Sequence, residues 1–241
     1  MEKSKLNFQT LKCIVLAFFI IMQVYLIFLK KHDALDLDIA PNTVPSPKIV
    51  SGVTVGQTFI AKKNNLARID VKMGTYDRVN DRDIIFELWA MNPKKKLAFK
   101  KAFNASGAVN NRYNTFKFKP IKDSEGREFY FLFYSPESTD ENSISIWMNK
   151  ANIYRQGSFH LNDILSKGDL VFRVYTKRPV FAELGRVVRN YSGLFASKTI
   201  LIAVILFFEV VQIVFLSKLL DMTFRAFKGG MNVQGENGKI S

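Results

Sequence analysis

Glu209 puts a carboxyl group near the middle of an apolar run, TILIAVILFFEVVQIVFL, that extends from Thr199 to Leu216. At the centre of a bilayer an ionisable side chain costs about 2.5–3.5 kcal/mol on insertion scales. Gln212 follows three residues later and shares its helical face. Gln23 is the comparable polar group in a second apolar run, CIVLAFFIIMQVYLIFL, from Cys13 to Leu29. Polar groups placed this way are expected to meet another helix. That helix is the chain's own first run, a second copy in a homo-oligomer, or a larger membrane partner.

A different chemistry is open to the aromatic residues Tyr76, Trp89, Tyr113, Trp147 and Tyr154. The apolar face of a sugar rests on such rings while neighbouring amides or charges bond its hydroxyls. Trp89 and Trp147 fall inside predicted strands, where burial is the commoner fate. Tyr113, beside Asn110, Asn111 and Arg112, is better placed. The candidate carbohydrate-binding set is therefore Tyr76, Asn110, Arg112, Tyr113 and Tyr154. The segment from Tyr76 to Asp83 collects three Asp and one Asn, oxygen ligands of the kind Ca²⁺ takes. It lacks the spacing of a calcium loop, and Arg78 and Arg82 compete for the carboxylates, so a solvated hairpin turn is expected.

Catalytic chemistry has little to stand on. There are two histidines, His32 and His160, and no nucleophile elbow, phosphate-binding loop or zinc spacing. Glu87, Asp70 and Glu128 are the carboxylates from which a glycosidic pair would have to be drawn. A non-enzyme without cofactor or metal is expected.

The elements that carry these residues follow from the apolar runs. Each is close to the roughly 20 residues that cross a hydrocarbon core of about 30 Å. Lys12 precedes the first and Lys30 and Lys31 follow it; Lys198 and Lys218 bracket the second. The first run ends in Leu-Lys-Lys with no small-residue cleavage pattern, so a retained anchor is expected rather than a signal peptide. The single cysteine, Cys13, allows no intramolecular disulfide. The formal net charge of +14 raises the question of nucleic acid. Its lysines are scattered, and a domain facing away from the cytosol would not meet nucleic acid. Anionic lipid or an anionic polymer suits the charge better.

The organisation read from the sequence is as follows. Residues 1–12 form a cytoplasmic N-terminus, 13–29 the first span, and 30–47 an extended stalk stiffened by Pro41, Pro45 and Pro47. Residues 48–177 form the central domain, 179–197 an amphipathic juxtamembrane helix, 199–216 the second span and 217–241 a cytoplasmic tail, disordered after Lys228. In the juxtamembrane helix Phe181, Leu184, Val188, Tyr191 and Phe195 recur at helical spacing. Its Arg186 and Arg189 are candidates for lipid headgroups. Both termini are expected in the cytosol and the domain outside, in the inner membrane.

Across the central domain the period changes to two. Ile69, Val71 and Met73 alternate, as do Ile84, Phe86 and Leu88; Phe116 and Phe118, EFYFLFY, Ile144 and Ile146, and DLVFRVY add further strands. Turn signals separate them, which predicts a mainly β antiparallel sandwich, a jelly roll, flanked by the two transmembrane α-helices. EFYFLFY is apolar on both faces and is expected to be a central strand. HLNDILSK is expected to form one or two helical turns.

GQTFIAKKNNLARIDVKMGTY, FKPIKDSEGREFYFLFYSP and GDLVFRVY, between Gly56 and Tyr175, resemble a recurring bacterial extracytoplasmic domain. It is a jelly roll of the galactose-binding type found in membrane proteins of envelope polysaccharide assembly, including glycosyltransferases. The resemblance implies the fold and an envelope glycan as ligand, with a membrane glycosyltransferase or transporter as partner; it supplies no catalytic motif. The expected function is a non-catalytic accessory in polysaccharide synthesis or export. Two alternatives stand beside it: a regulator like the polysaccharide chain-length co-polymerases, whose outer domains are mostly helical, and a structural subunit whose sandwich binds protein.

Overall fold

The structure is a computed structural model and describes residues 8–76, 78–183 and 198–236. The chain divides into two compact units, His32–Arg178 and the terminal segments on either side of it.

The inner unit is built from two antiparallel sheets. The first contains β1 (Lys31–Ile39), β2 (Val44–Pro45), β4 (Leu66–Gly74), β7 (Arg112–Ile121), β9 (Ser145–Asn149), β12 (Asp169–Leu170) and β13 (Phe172–Pro179). Its path runs β1-β13-β4-β9-β12, with β7 also on β4 and β2 also on β9. The second contains β3 (Thr54–Ile60), β5 (Asp83–Ala90), β6 (Lys96–Asn104), β8 (Glu128–Tyr134), β10 (Phe159–Leu161) and β11 (Ile164–Ser166). Its order is β11-β10-β3-β8-β5-β6. The chain passes repeatedly from one sheet to the other, as in a jelly roll.

Period-two patterning explains how the sheets close. On β8 Phe129, Phe131 and Phe133 are fully buried, while Tyr130, Leu132 and Tyr134 point the other way. They meet Phe59, Phe86 and Phe172, also fully buried. Phe86 stacks on Phe116 of the opposite sheet at 4.3 Å between ring centroids. Gln57 sits within this apolar layer. Its Nε2 donates to Asp169 Oδ1 at 3.2 Å and its Oε1 accepts from the Leu170 N–H at 3.0 Å. The second Asp169 oxygen accepts from the Tyr154 N–H at 2.8 Å. A buried carboxylate and amide are thus satisfied by each other, tying β3 of one sheet to β12 of the other.

Three expectations are corrected here. Residues 30–47 are not a free stalk: β1 lies on β13 and β2 pairs with β9, because Ala34, Leu37 and Ile39 have an apolar layer to enter and are buried. HLNDILSK is a hairpin and not a helix. Leu161 pairs with Ile164, and Asn162 and Asp163 both have positive φ, 50° and 61°, the conformation of a two-residue type I′ turn. The segment from Tyr76 to Asp83 is not a hairpin turn either, since it joins β4 of one sheet to β5 of the other.

The outer unit contains two long helices. The first, Phe8–Val24, continues into a π-helical turn at Tyr25–Leu29; the second is Lys198–Glu236. Phe8–Leu29 and Ile202–Ala226 are long and apolar enough to cross a membrane, with mean hydropathies of 2.4 and 2.2. The second helix extends through Glu236, beyond the point where disorder was expected. The chain is also helical at 180–183, whereas Arg186, Arg189 and most of the expected juxtamembrane helix lie outside the described residues. Lys12 and Asp221 form an ion pair of 2.7 Å, and the Phe8 and Phe224 rings stack at 3.7 Å.

A candidate carbohydrate-binding face

β4 places Arg68, Asp70 and Lys72 outward because Ile69, Val71 and Met73 are drawn into the core. Register then fixes their neighbours. Arg68 stands opposite Tyr175 on β13 and Lys117 on β7, Asp70 opposite Arg173 and Thr115, and Lys72 opposite Tyr113. Ile146 pairs with Met73, so Trp147, the next residue of β9, faces outward beside Lys72. Tyr76, 38% exposed, reaches back to Trp147, with 6.2 Å between ring centroids. Four aromatic rings therefore share the open face of the first sheet.

Cations lie against these rings. The Arg173 guanidinium is 4.1 Å from the Tyr113 centroid, Arg68 is 4.2 Å from Tyr175, and Arg78 is 5.1 Å from Tyr76. Lys72 Nζ is 5.9 Å from the Trp147 ring. Such contacts add cation–π attraction and hold the rings in place. Carboxylates anchor the arginines: Asp70 accepts from both Nε and Nη2 of Arg68, and Asp38 lies 3.1 Å from Arg173. Asp33 lies 2.7 Å from Lys177 and 3.4 Å from Arg68.

The electrostatics follow from these partners. Burial alone would raise the Asp33 carboxyl, but hydrogen bonds from Lys177 and Arg68 outweigh it and hold it below the usual range. The bond to Asp70 pushes the Arg68 guanidinium up. Burial raises the hydroxyls of Tyr76, Tyr113 and Tyr175, against the opposing pull of Arg78 on the first and Arg173 on the second. All three tyrosines are neutral donors at physiological pH.

The sequence-derived candidates separate on this geometry. Tyr76 and Tyr113 are on the open face. Asn110 is committed to the loop, its Oδ1 accepting from the Thr75 N–H at 2.9 Å. Arg112 pairs with Met73, one residue out of phase with Tyr113, and so points from the other side of β7. Tyr154 is a core residue, 6% exposed, with its hydroxyl accepting from the Ile60 N–H at 3.1 Å; it has no face to offer a sugar. Trp147 had been set aside as buried in its strand; Tyr175, Arg68, Lys72 and Arg173 were not among the candidates. Their signal was the outward phase of LARIDVK and FRVY, opposite to the phase that marks the core.

Trp89 belongs to the open face of the second sheet, where the side chains close on one another. Glu87 accepts from Trp89 Nε1 at 2.9 Å, Tyr134 Oη at 3.1 Å and Lys100 Nζ at 2.9 Å. Burial would raise this carboxyl, but those three donors hold it below the usual range, and Lys100 is pushed up to about 12. Asp70 is on the opposite sheet from Glu87 and Glu128 and cannot act with either. Glu87 pairs with Leu132, four residues along β8 from Glu128, roughly 13 Å of strand against the 5–9.5 Å of glycosidic carboxylate pairs. Among the described residues, no three His, Cys, Asp or Glu side chains gather as metal ligands.

In the helical unit, Gln23 Nε2 donates to Gln212 Oε1 at 2.9 Å. Glu209 lines an apolar groove of about 240 Å³ between the helices, with Ile20, Val24, Ile205 and Ile213. Among the described residues its carboxyl has no hydrogen-bond or ion-pair partner.

No family model and no curated protein matches the chain. It is similar to a solved xylan-binding module CBM15, with 13% sequence identity and a TM-score of 0.31. That likeness covers 61% of this chain and 97% of the module. At this level it assigns no ligand here.

Proposed function

We propose that the chain is a two-span membrane protein whose sandwich binds carbohydrate on the open face of the first sheet without transforming it. The termini lie in the cytosol and the sandwich lies outside, at the inner membrane of a bacterium. Its place is as an accessory to envelope polysaccharide synthesis or export, beside a membrane glycosyltransferase or transporter. The observation that carries the reading is the set of rings, Tyr76, Trp147, Tyr113 and Tyr175, held on one open sheet face by fixed cations. Trp147 and Tyr113 flank Lys72 from two different strands, about 10 Å apart at two strand widths. That is farther than one sugar ring reaches, so the ligand is at least two linked sugars, as a polysaccharide supplies. Two helices of spanning length support anchoring. The lack of a catalytic motif in the sequence, and the separation of Glu87, Glu128 and Asp70 from one another, support binding over catalysis. A polysaccharide pull-down with the full chain in lipid nanodiscs tests the proposal. Retention of at least one polymer is expected; recovery of a protein partner with no polymer retained would replace it by the protein-binding reading.

A further inference from the structure

Among the described residues, not every cation on the open face has a carboxylate partner. Arg68 is bound to Asp70 and Asp33, Arg173 to Asp38 and Lys177 to Asp33. Lys72 is different. It is half-buried between Trp147 and Tyr113, and the hydrogen bond it makes is to a neutral acceptor, Asn42 Oδ1, at 2.7 Å. Among the described residues, no carboxylate lies within ion-pair distance of it. An ammonium has three donors, so two remain for a ligand. Its position among rings lowers the local dielectric and strengthens its attraction for an anion.

The rest of the face points the same way. A neutral sugar hydroxyl both donates and accepts, and a carboxylate that would accept its proton is occupied: Asp70 is 2% exposed and accepts twice from Arg68. What the face presents is a surplus of donors. Arg78 extends it past Tyr76, bonding the neutral Ser143 carbonyl at 2.9 Å and hydroxyl at 3.1 Å. A donor-rich surface with aromatic rings complements an acceptor-rich polymer of sugars.

We infer that the polymer bound on this face is an acidic polysaccharide, with Lys72 bonding its carboxylate, sulfate or phosphate groups while the sugar rests on Trp147 and Tyr113. This rests on the carbohydrate-binding reading above and narrows it to one ligand class. Phosphatidylcholine nanodiscs carrying the full chain are titrated with polygalacturonate, xylan and dextran. Polygalacturonate binds more tightly than the two neutral polymers, and its affinity falls as salt is raised from about 50 to 500 mM. Lys72→Gln weakens polygalacturonate binding by about threefold, the scale of one exposed charge pair. Its effect on dextran and xylan is smaller. Lys94→Gln, in the turn between β5 and β6, has no effect. Equal binding of neutral and acidic polymers, or an unaltered affinity in Lys72→Gln, overturns the inference and leaves the carbohydrate-binding reading standing. Binding of none of the three polymers overturns this inference and counts against that reading as well.

Discussion

Replacing Gln57 by Leu removes the polar tie between the two sheets while keeping a side chain of similar volume. The variant orphans two buried groups, Asp169 Oδ1 and the Leu170 N–H. Each unsatisfied group costs about 1–3 kcal/mol, so the gross loss is about 2–6 kcal/mol. A buried apolar replacement returns part of this, leaving a net loss of about 3 kcal/mol. For a unit of this size that lowers Tm by about 6–12 °C. The assay is convenient because the two tryptophans of the chain, Trp89 and Trp147, both lie in the sandwich. Their fluorescence in urea follows that unit and not the helices. Asp169→Leu and the double variant complete a cycle. If the tie is as described, the double variant is less damaging than the sum of the singles, with coupling of about 1–3 kcal/mol. A loss below about 1 kcal/mol in Gln57→Leu, with additive singles, would refute the reasoning.

Three further outcomes follow. The carboxyls of Asp33 and Glu87 are depressed in the folded state, so between their folded and unfolded pKa values the unfolded chain holds more protons. Stability is therefore full above about pH 5 and is lost as pH falls through the folded values; urea midpoints across that range check it, and Glu87→Gln should flatten the curve. A Cβ at Gly56 would lie 2.5 Å from the Tyr130 ring and hydroxyl, so Gly56→Ala costs about 1–3 kcal/mol by overpacking, and adding Tyr130→Ala restores part of it. Glu209→Leu reduces self-association or partner recovery in cross-linked membranes, since the carboxyl lines an interhelical groove without a partner in the described chain; unchanged association would remove that role.

The β class was legible because core positions alternate with outward ones on β4, β5 and β8, and EFYFLFY had no polar face to leave in water. The short motifs were legible as patterns before their physics was visible. Gln57 and Asp169, in GQTF and GDLVF, turn out to bond each other across the core. Gly56 makes room for Tyr130. Arg68 and Asp70 of LARID pair with each other, and Arg173 and Tyr175 of FRVY join them on the same face. What could not be read was long-range placement. Proline content suggested a stalk at 30–47, yet an unpaired sheet edge on β13 takes β1 into the fold. Helical spacing in HLNDILSK lost to a two-residue turn that Asn162 and Asp163 accommodate with positive φ. Tyr154 stood among the candidates behind Tyr113, because local sequence does not reveal which ring the second layer will cover. Trp147 was judged by strand membership, when its phase on β9 was the deciding property.

The most direct test of the central claim compares polysaccharide binding by the full chain in nanodiscs with that of Trp147→Ala and Tyr113→Ala, alongside Trp89→Ala on the other sheet. Removing an aromatic anchor from a binding surface costs about 2 kcal/mol or more, so each of the first two variants should bind at least about tenfold more weakly, with the urea midpoint little changed. Trp89→Ala should leave affinity intact. Full affinity in Trp147→Ala and Tyr113→Ala, or loss confined to Trp89→Ala, would contradict the assignment of the first sheet's open face as the binding surface.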